Sequence, residues 1–153
     1  MDGDARLAAM LDAGRVLVHF GMREAVLREQ VRSTDPALLD YLLAKFSGMM
    51  EEHLVVLFLD GQHKLLSEDF FTNGSPDCLS LRPRALFSRA LALGCRAIVL
   101  AHNHPSGDPT PSQNDIDATV RIALDAEGLD IKLIDHLIVG NCQVVSMKQA
   151  GLI

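Results

Sequence analysis

The sequence predicts an α/β fold, a sandwich with a mixed β-sheet preceded by N-terminal helices. Three observations carry this. From about residue 52 onward, short apolar runs of strand length alternate with helix-patterned segments. Two of those runs are joined by the turn sequence Asp60-Gly61-Gln62, which predicts a hairpin. The chain has 153 residues, 48% of them apolar, enough for one sizeable core in one globular unit.

Residues 4–32 have helix-forming composition, with Gly14 and Gly21 expected to interrupt it. A second helix follows. Thr34 or Asp35 can cap it, Pro36 fits its first position, and Leu38, Leu39, Leu42, Leu43 and Phe46 form one stripe before Gly48 stops it. Residues 1–50 therefore read as a helical lead-in, and 51–153 as the main domain. Residues 52–60 and 63–71 read as strands, and Asn73 to Asp77 as a loop. Pro83 opens a helix with Leu86, Phe87, Ala90, Leu91 and Leu93 on its apolar side, ended by Gly94. Arg96 to Ala101 is a strand that delivers His102 at its carboxyl end. After a segment stiffened by Pro105, Pro109 and Pro111, Ser112 opens a helix running to about Glu127. Residues 130–139 and 142–147 are the last two strands, joined by a Gly140-Asn141 turn.

Composition excludes several function classes. No stretch approaches the ~18 uninterrupted apolar residues of a membrane span. The acidic start, Met1-Asp2-Gly3-Asp4, lacks a signal peptide's basic head, so a cytoplasmic protein is expected. Cys78, Cys95 and Cys142 are odd in number and far apart, which suggests buried apolar residues, not disulfides or a thiolate metal site. The net charge of -6 argues against tight nonspecific DNA binding. Arg82, Arg84, Arg89 and Arg96 form a local basic cluster, read first as a solvated face and second as a seat for an acidic partner.

The chemistry concentrates in His102-Asn103-His104-Pro105-Ser106-Gly107. Residues two apart in an extended segment point to one side, so both imidazoles can face one point. A carboxylate from the next element would complete a two-His, one-Asp set. Three protein ligands leave a tetrahedral metal one open position, the arrangement of catalytic zinc. Asp115 is the preferred carboxylate. Asp117, two residues on, sits roughly 200° around the helix. Ser112 and Asp115 equally form a capping-box pattern, and the two readings are compatible. Glu51 and Glu52 are both placed to supply a general base, and both also fit solvated charges at a strand edge. His19, His53, His63 and His136 show no ligand spacing. Asp135-His136, a polar pair in an apolar strand, fits either support for the site or a satisfied core pair.

His102-x-His104, Ser112 and Asp115 have the spacing of the JAMM (MPN+) metalloprotease motif. The text around them resembles the RadC-type JAB-domain family of bacteria: Glu52 through Asp60, Arg82-Pro83-Arg84, Ala101 through Gly107, Pro111-Ser112 and Asp135 through Gly140. The match covers roughly residues 50–150. The resemblance implies a cytidine-deaminase-like three-layer α/β sandwich with one zinc ion (Zn2+) per chain. It implies His102, His104 and Asp115 as ligands, Glu52 as general acid/base and Ser112 as a stabiliser of the tetrahedral intermediate. The implied reaction is hydrolysis of a peptide or isopeptide amide by a metal-activated water, on a peptide or protein substrate. Residues 1–50 are not patterned as the helix-hairpin-helix DNA-binding region that many members carry upstream, and Ala85 stands where members often have glutamate.

Three rivals remain. A nucleobase deaminase would need His-x-Glu and Pro-Cys-x-x-Cys, and neither is present. A mononuclear iron oxygenase shares the ligand types. The non-enzyme alternative is a metal-stabilised binding module associated with DNA repair or mobile-element functions.

Overall fold

The computed structural model describes residues 2–72 and 83–153. The loop expected over 73–77, Cys78 and Arg82 lie outside the described residues. Two helices, α1 (Asp2–Arg28) and α2 (Pro36–Phe46), precede the hairpin of β1 (His53–Leu59) and β2 (Leu65–Thr72). Then come α3 (Pro83–Ala92), β3 (Ala97–Asn103), α4 (Gln113–Glu127), β4 (Lys132–Gly140) and β5 (Gln143–Ser146). The sheet order is β2-β1-β3-β4-β5, with β3 and β4 parallel and every other pair antiparallel. This is the expected α/β fold with a mixed sheet and helices in front.

The layers follow from strand periodicity. Odd-numbered residues of the central strands (Val55, Leu57, Leu59, Val99, Ala101) pack with Leu38, Tyr41, Leu42 and Phe46 of α2. Even-numbered ones (Leu54, Val56, Phe58, Ile98, Leu100) pack with Leu86, Phe87 and Ala90 of α3 and Ile122 and Ala126 of α4. The sheet is thus sandwiched between two helical layers. β3, buried at every position, is its spine.

Five local expectations need correction. Cys142, expected to be buried, is exposed in the turn after β4, while Cys95 is buried as expected. Gly14 and Gly21 do not interrupt α1, which runs unbroken for 27 residues. A helical glycine costs only about 1 kcal/mol against alanine, and a helix this long absorbs two. β2 starts at Leu65, not at 63, because His63 adopts φ 61° in the turn. Asp60 builds that turn, its side chain accepting from the amides of Gln62 and Lys64. Leu91 is 56% exposed and lies off the apolar stripe of α3. β3 does not stop before His102 but carries it, ending at Asn103. The cap of α2 resolves to Asp35, whose side chain accepts from Ala37 N at 3.0 Å. Among the described residues, no helix is long and apolar enough to cross a membrane.

Candidate metal centre

Topology brings the candidate residues to one spot. β3 ends where antiparallel β1 begins, with Leu54 opposite His102. Continuing that register puts Glu52 opposite His104, on the same face as Leu54 and His102. From the far end of the 105–111 loop, α4 starts under the same face and contributes Asp115 from its first turn. Ligand sites beyond the carboxyl ends of strands are the general rule for such sheets.

One ligand atom from each of Glu52, His102, His104 and Asp115 fits in a cluster in which all four lie within 4.8 Å of one another. His102 Nε2 and His104 Nε2 are 2.9 Å apart. Asp115 Oδ1 is 3.3 Å from the former, and its Oδ2 is 3.3 Å from the latter. Glu52 Oε1 is 3.4 Å from His102 Nε2. His104 Nδ1 lies 2.7 Å from the Asp108 carbonyl, which only accepts, so this nitrogen carries a proton and Nε2 is the nitrogen that faces the cluster. Among the described residues, no lysine or arginine forms an ion pair with Glu52 or Asp115. Two imidazoles and two carboxylates converging without a compensating cation are a donor set that fits a divalent metal such as zinc.

Asp115 is both cap and convergent carboxylate. Its Oδ2 accepts from the Ser112 amide and hydroxyl, each at 2.6 Å, while Ser112 Oγ accepts from Asp115 N at 3.1 Å. The capping box therefore orients the carboxylate toward the histidines. Burial pushes its pKa up, but the adjacent His102 and His104 and the hydrogen bond from Ser112 outweigh burial and hold it well below the usual carboxylate range. The hydrogen bond with Asp115, partly opposed by burial, raises the pKa of His104. Asp117 is exposed and accepts from Gln113 Nε2 at 2.8 Å, away from the cluster.

Glu51 faces away as well, and its carbonyl serves as an anchor. Asn103 Nδ2 donates to Glu51 O at 3.0 Å, and Asn103 Oδ1 accepts from His53 N at 2.8 Å. This buried amide straddles Glu52 and fixes the backbone on both sides of it. The sequence reading missed it. Its signal was a polar residue between the two histidines, on the opposite face of an otherwise apolar strand.

Asp135 and His136 divide the two roles left open for them. Asp135 is a satisfied core carboxylate, accepting from His136 N, Ser146 Oγ and Lys148 N. His136 instead reaches the site, its Nε2 2.8 Å from His102 Nδ1. Burial, reinforced by the neighbouring His102, depresses the His136 pKa well below the ordinary histidine value. Of the basic cluster, Arg89 is paired with Asp69 at 2.9 Å, while Arg84 and Arg96 are exposed.

The proline loop is docked on the β4–β5 turn. His104 N donates to Val139 O, and Asn141 N donates to Gly107 O, both at 2.8 Å. A Cβ at Gly140 would strike the Gly107 carbonyl and come within 2.7 Å of Pro109 N. Both obstacles belong to the backbone and cannot rotate away. Gly140→Ala should therefore cost about 1–3 kcal/mol, the range for overpacking. Denaturant titration checks this, and an unchanged midpoint would contradict the docking.

The chain also matches known proteins. The model of the RadC-like JAB domain matches residues 32–152. A UPF0758 protein of Ruegeria pomeroyi is 41% identical over 133 residues, 87% of this chain and 59% of the relative. One from Rhodobacter capsulatus is 41% identical over 131 residues, covering 86% and 61%. One from a Polaromonas species is 38% identical over 149 residues, covering 97% and 65%. The chain thus spans about 59–65% of the length of these relatives.

Proposed function

Because this chain belongs to the RadC-like JAB domain family, we propose that it is a JAMM-type metallohydrolase that cleaves a peptide or isopeptide amide with one zinc ion. The observation that carries the reading is the convergence of Glu52, His102, His104 and Asp115 at the end of β3. His102, His104 and Asp115 would hold the metal. When bound, zinc supplies a Lewis acid that polarises the scissile carbonyl and brings the pKa of water toward about 7.

The remaining work falls to the chain. The Glu52 side chain is 30% exposed, so it meets both solvent and the buried histidines. In this scheme its carboxylate takes a proton from the attacking water and returns it to the leaving nitrogen. Asn103 keeps the Glu52 backbone from drifting during that exchange. Ser112 donates a hydrogen bond to the developing oxyanion. Its proton is held by Asp115 Oδ2, and metal coordination would weaken that hold by drawing charge off the carboxylate. The free thiol of buried Cys95 fits a reducing compartment, and we place the reaction in the cytoplasm.

The commitment of the Ser112 hydroxyl to Asp115 also favours a second reading, a metal-stabilised binding module without turnover. A screen of peptide and isopeptide substrates with the zinc-loaded protein decides between them. Cleavage supports the hydrolase, and stable substrate binding without cleavage supports the module.

On either reading, tight nonspecific DNA binding is not expected from a chain of net charge -6. A mobility-shift titration with duplex DNA at physiological salt should show no complex at sub-micromolar protein. A shifted band there would return attention to Arg84 and Arg96.

A further inference from the structure

We propose that His136 and Thr119 are positioning residues that set the tautomer of His102 through a hydrogen-bond relay, leaving His102 Nε2 bare for the metal. The inference rests on the metal-centre reading and adds two residues to it.

The relay follows from counting protons. Thr119 lies one turn beyond Asp115 on α4, and both are buried. Its Oγ1 is 2.5 Å from the Asp115 carbonyl oxygen. That oxygen carries no hydrogen, so the hydroxyl's only proton must bridge the contact. Thr119 Oγ1 is then an acceptor toward His136 Nδ1, 2.6 Å away. His136 must therefore hold its proton on Nδ1. The ring is fully buried, and among the described residues its nitrogens meet only Thr119 and His102. Among the described residues no carboxylate lies within hydrogen-bonding reach to support a cation there, so the ring is neutral and Nε2 is an acceptor. His102 Nδ1, 2.8 Å from it, must donate. In the neutral ring, the form that binds a metal, the lone pair is then on His102 Nε2, which faces His104 and Asp115.

The relay closes on the site it serves. It begins at the backbone of Asp115, itself a candidate ligand, and ends on the ring of another. One chain of hydrogen bonds thus ties the start of α4 to β4 and β3. A ligand histidine whose distal nitrogen donates to an outer partner is held in orientation and made more basic. Here the partner is a neutral imidazole, which accepts only in the Nδ1–H form. Free neutral histidine favours the opposite Nε2–H form, so the relay makes a specific claim.

The test reads that claim directly. Long-range proton–nitrogen correlation spectra of the 15N-labelled, metal-free protein should show His136 as the Nδ1–H tautomer. An Nε2–H or doubly protonated His136 overturns the relay. Thr119→Val removes the hydroxyl and should weaken zinc binding by about 10–100-fold, the usual cost of disturbing an outer partner. It should also perturb the absorption bands of the cobalt(II)-substituted protein. Thr119→Ser should restore both. Wild-type affinity in Thr119→Val, or failure of Thr119→Ser to rescue, would refute the relay. The tautomer measurement needs no variant and no activity. If the wild type took up no zinc, the metallohydrolase reading would fail while the spectrum still decided the relay.

Discussion

Removing one candidate ligand should empty the metal centre. In His104→Ala or Asp115→Ala, two of three proposed protein ligands remain, and zinc content after gel filtration should fall far below one per chain. The loss should exceed the ~10–100-fold that follows from disturbing an outer partner. The two variants differ in side effects. The His104 side chain is 14% exposed and its removal leaves the α4 cap untouched. Asp115→Ala also removes the acceptor of two hydrogen bonds from Ser112 and weakens the start of α4. His104→Ala is therefore the cleaner variant, and Asp115→Ala should also unfold at lower denaturant concentration. Stoichiometric zinc at wild-type affinity in both would refute the ligand assignment.

Glu52→Gln should separate chemistry from binding. The substitution keeps size and shape and removes the base. Glu52 lies at the edge of the cluster, its nearest contact to the histidines being 3.4 Å. Zinc content and thermal stability should stay near wild type. Turnover of a cleavable peptide or isopeptide should fall at least ~100-fold, the low end for general acid/base catalysis. Loss of zinc would instead make Glu52 a ligand and the site more closed. Unchanged turnover would move the base elsewhere. Glu51 is then an unpromising substitute, because its side chain is exposed and its carbonyl anchors Asn103.

Much of the site was legible because its signals are local. His102 lies in β3 and His104 directly follows its last residue, so the two-residue period of the extended backbone aligns them. Ser112 and Asp115 share one helical turn, and one carboxylate serves both the capping box and the candidate metal cluster. The outer partners were less legible. Asn103 was in plain view but had no partner in sequence, since it acts on Glu51 and His53, about 50 residues earlier. Thr119 is 17 residues from His136, and no spacing rule links a helix to a strand across a sheet.

The sequence by itself determined the alternation of strands and helices, the amphipathic faces, the caps, the family resemblance and the histidine pair. Those depend on backbone periodicity and short-range hydrogen bonding, which neighbouring residues dictate. Only the tertiary structure decided where β1 starts relative to β3, and so that Glu52 sits opposite His104. It alone sent Asp135 to the core and His136 to the site, turned Glu51 outward, and let α1 run through two glycines. Each of these depends on strand register, long-range packing or the balance of a whole helix. Those energies belong to groups brought together by folding, and no local pattern carries them.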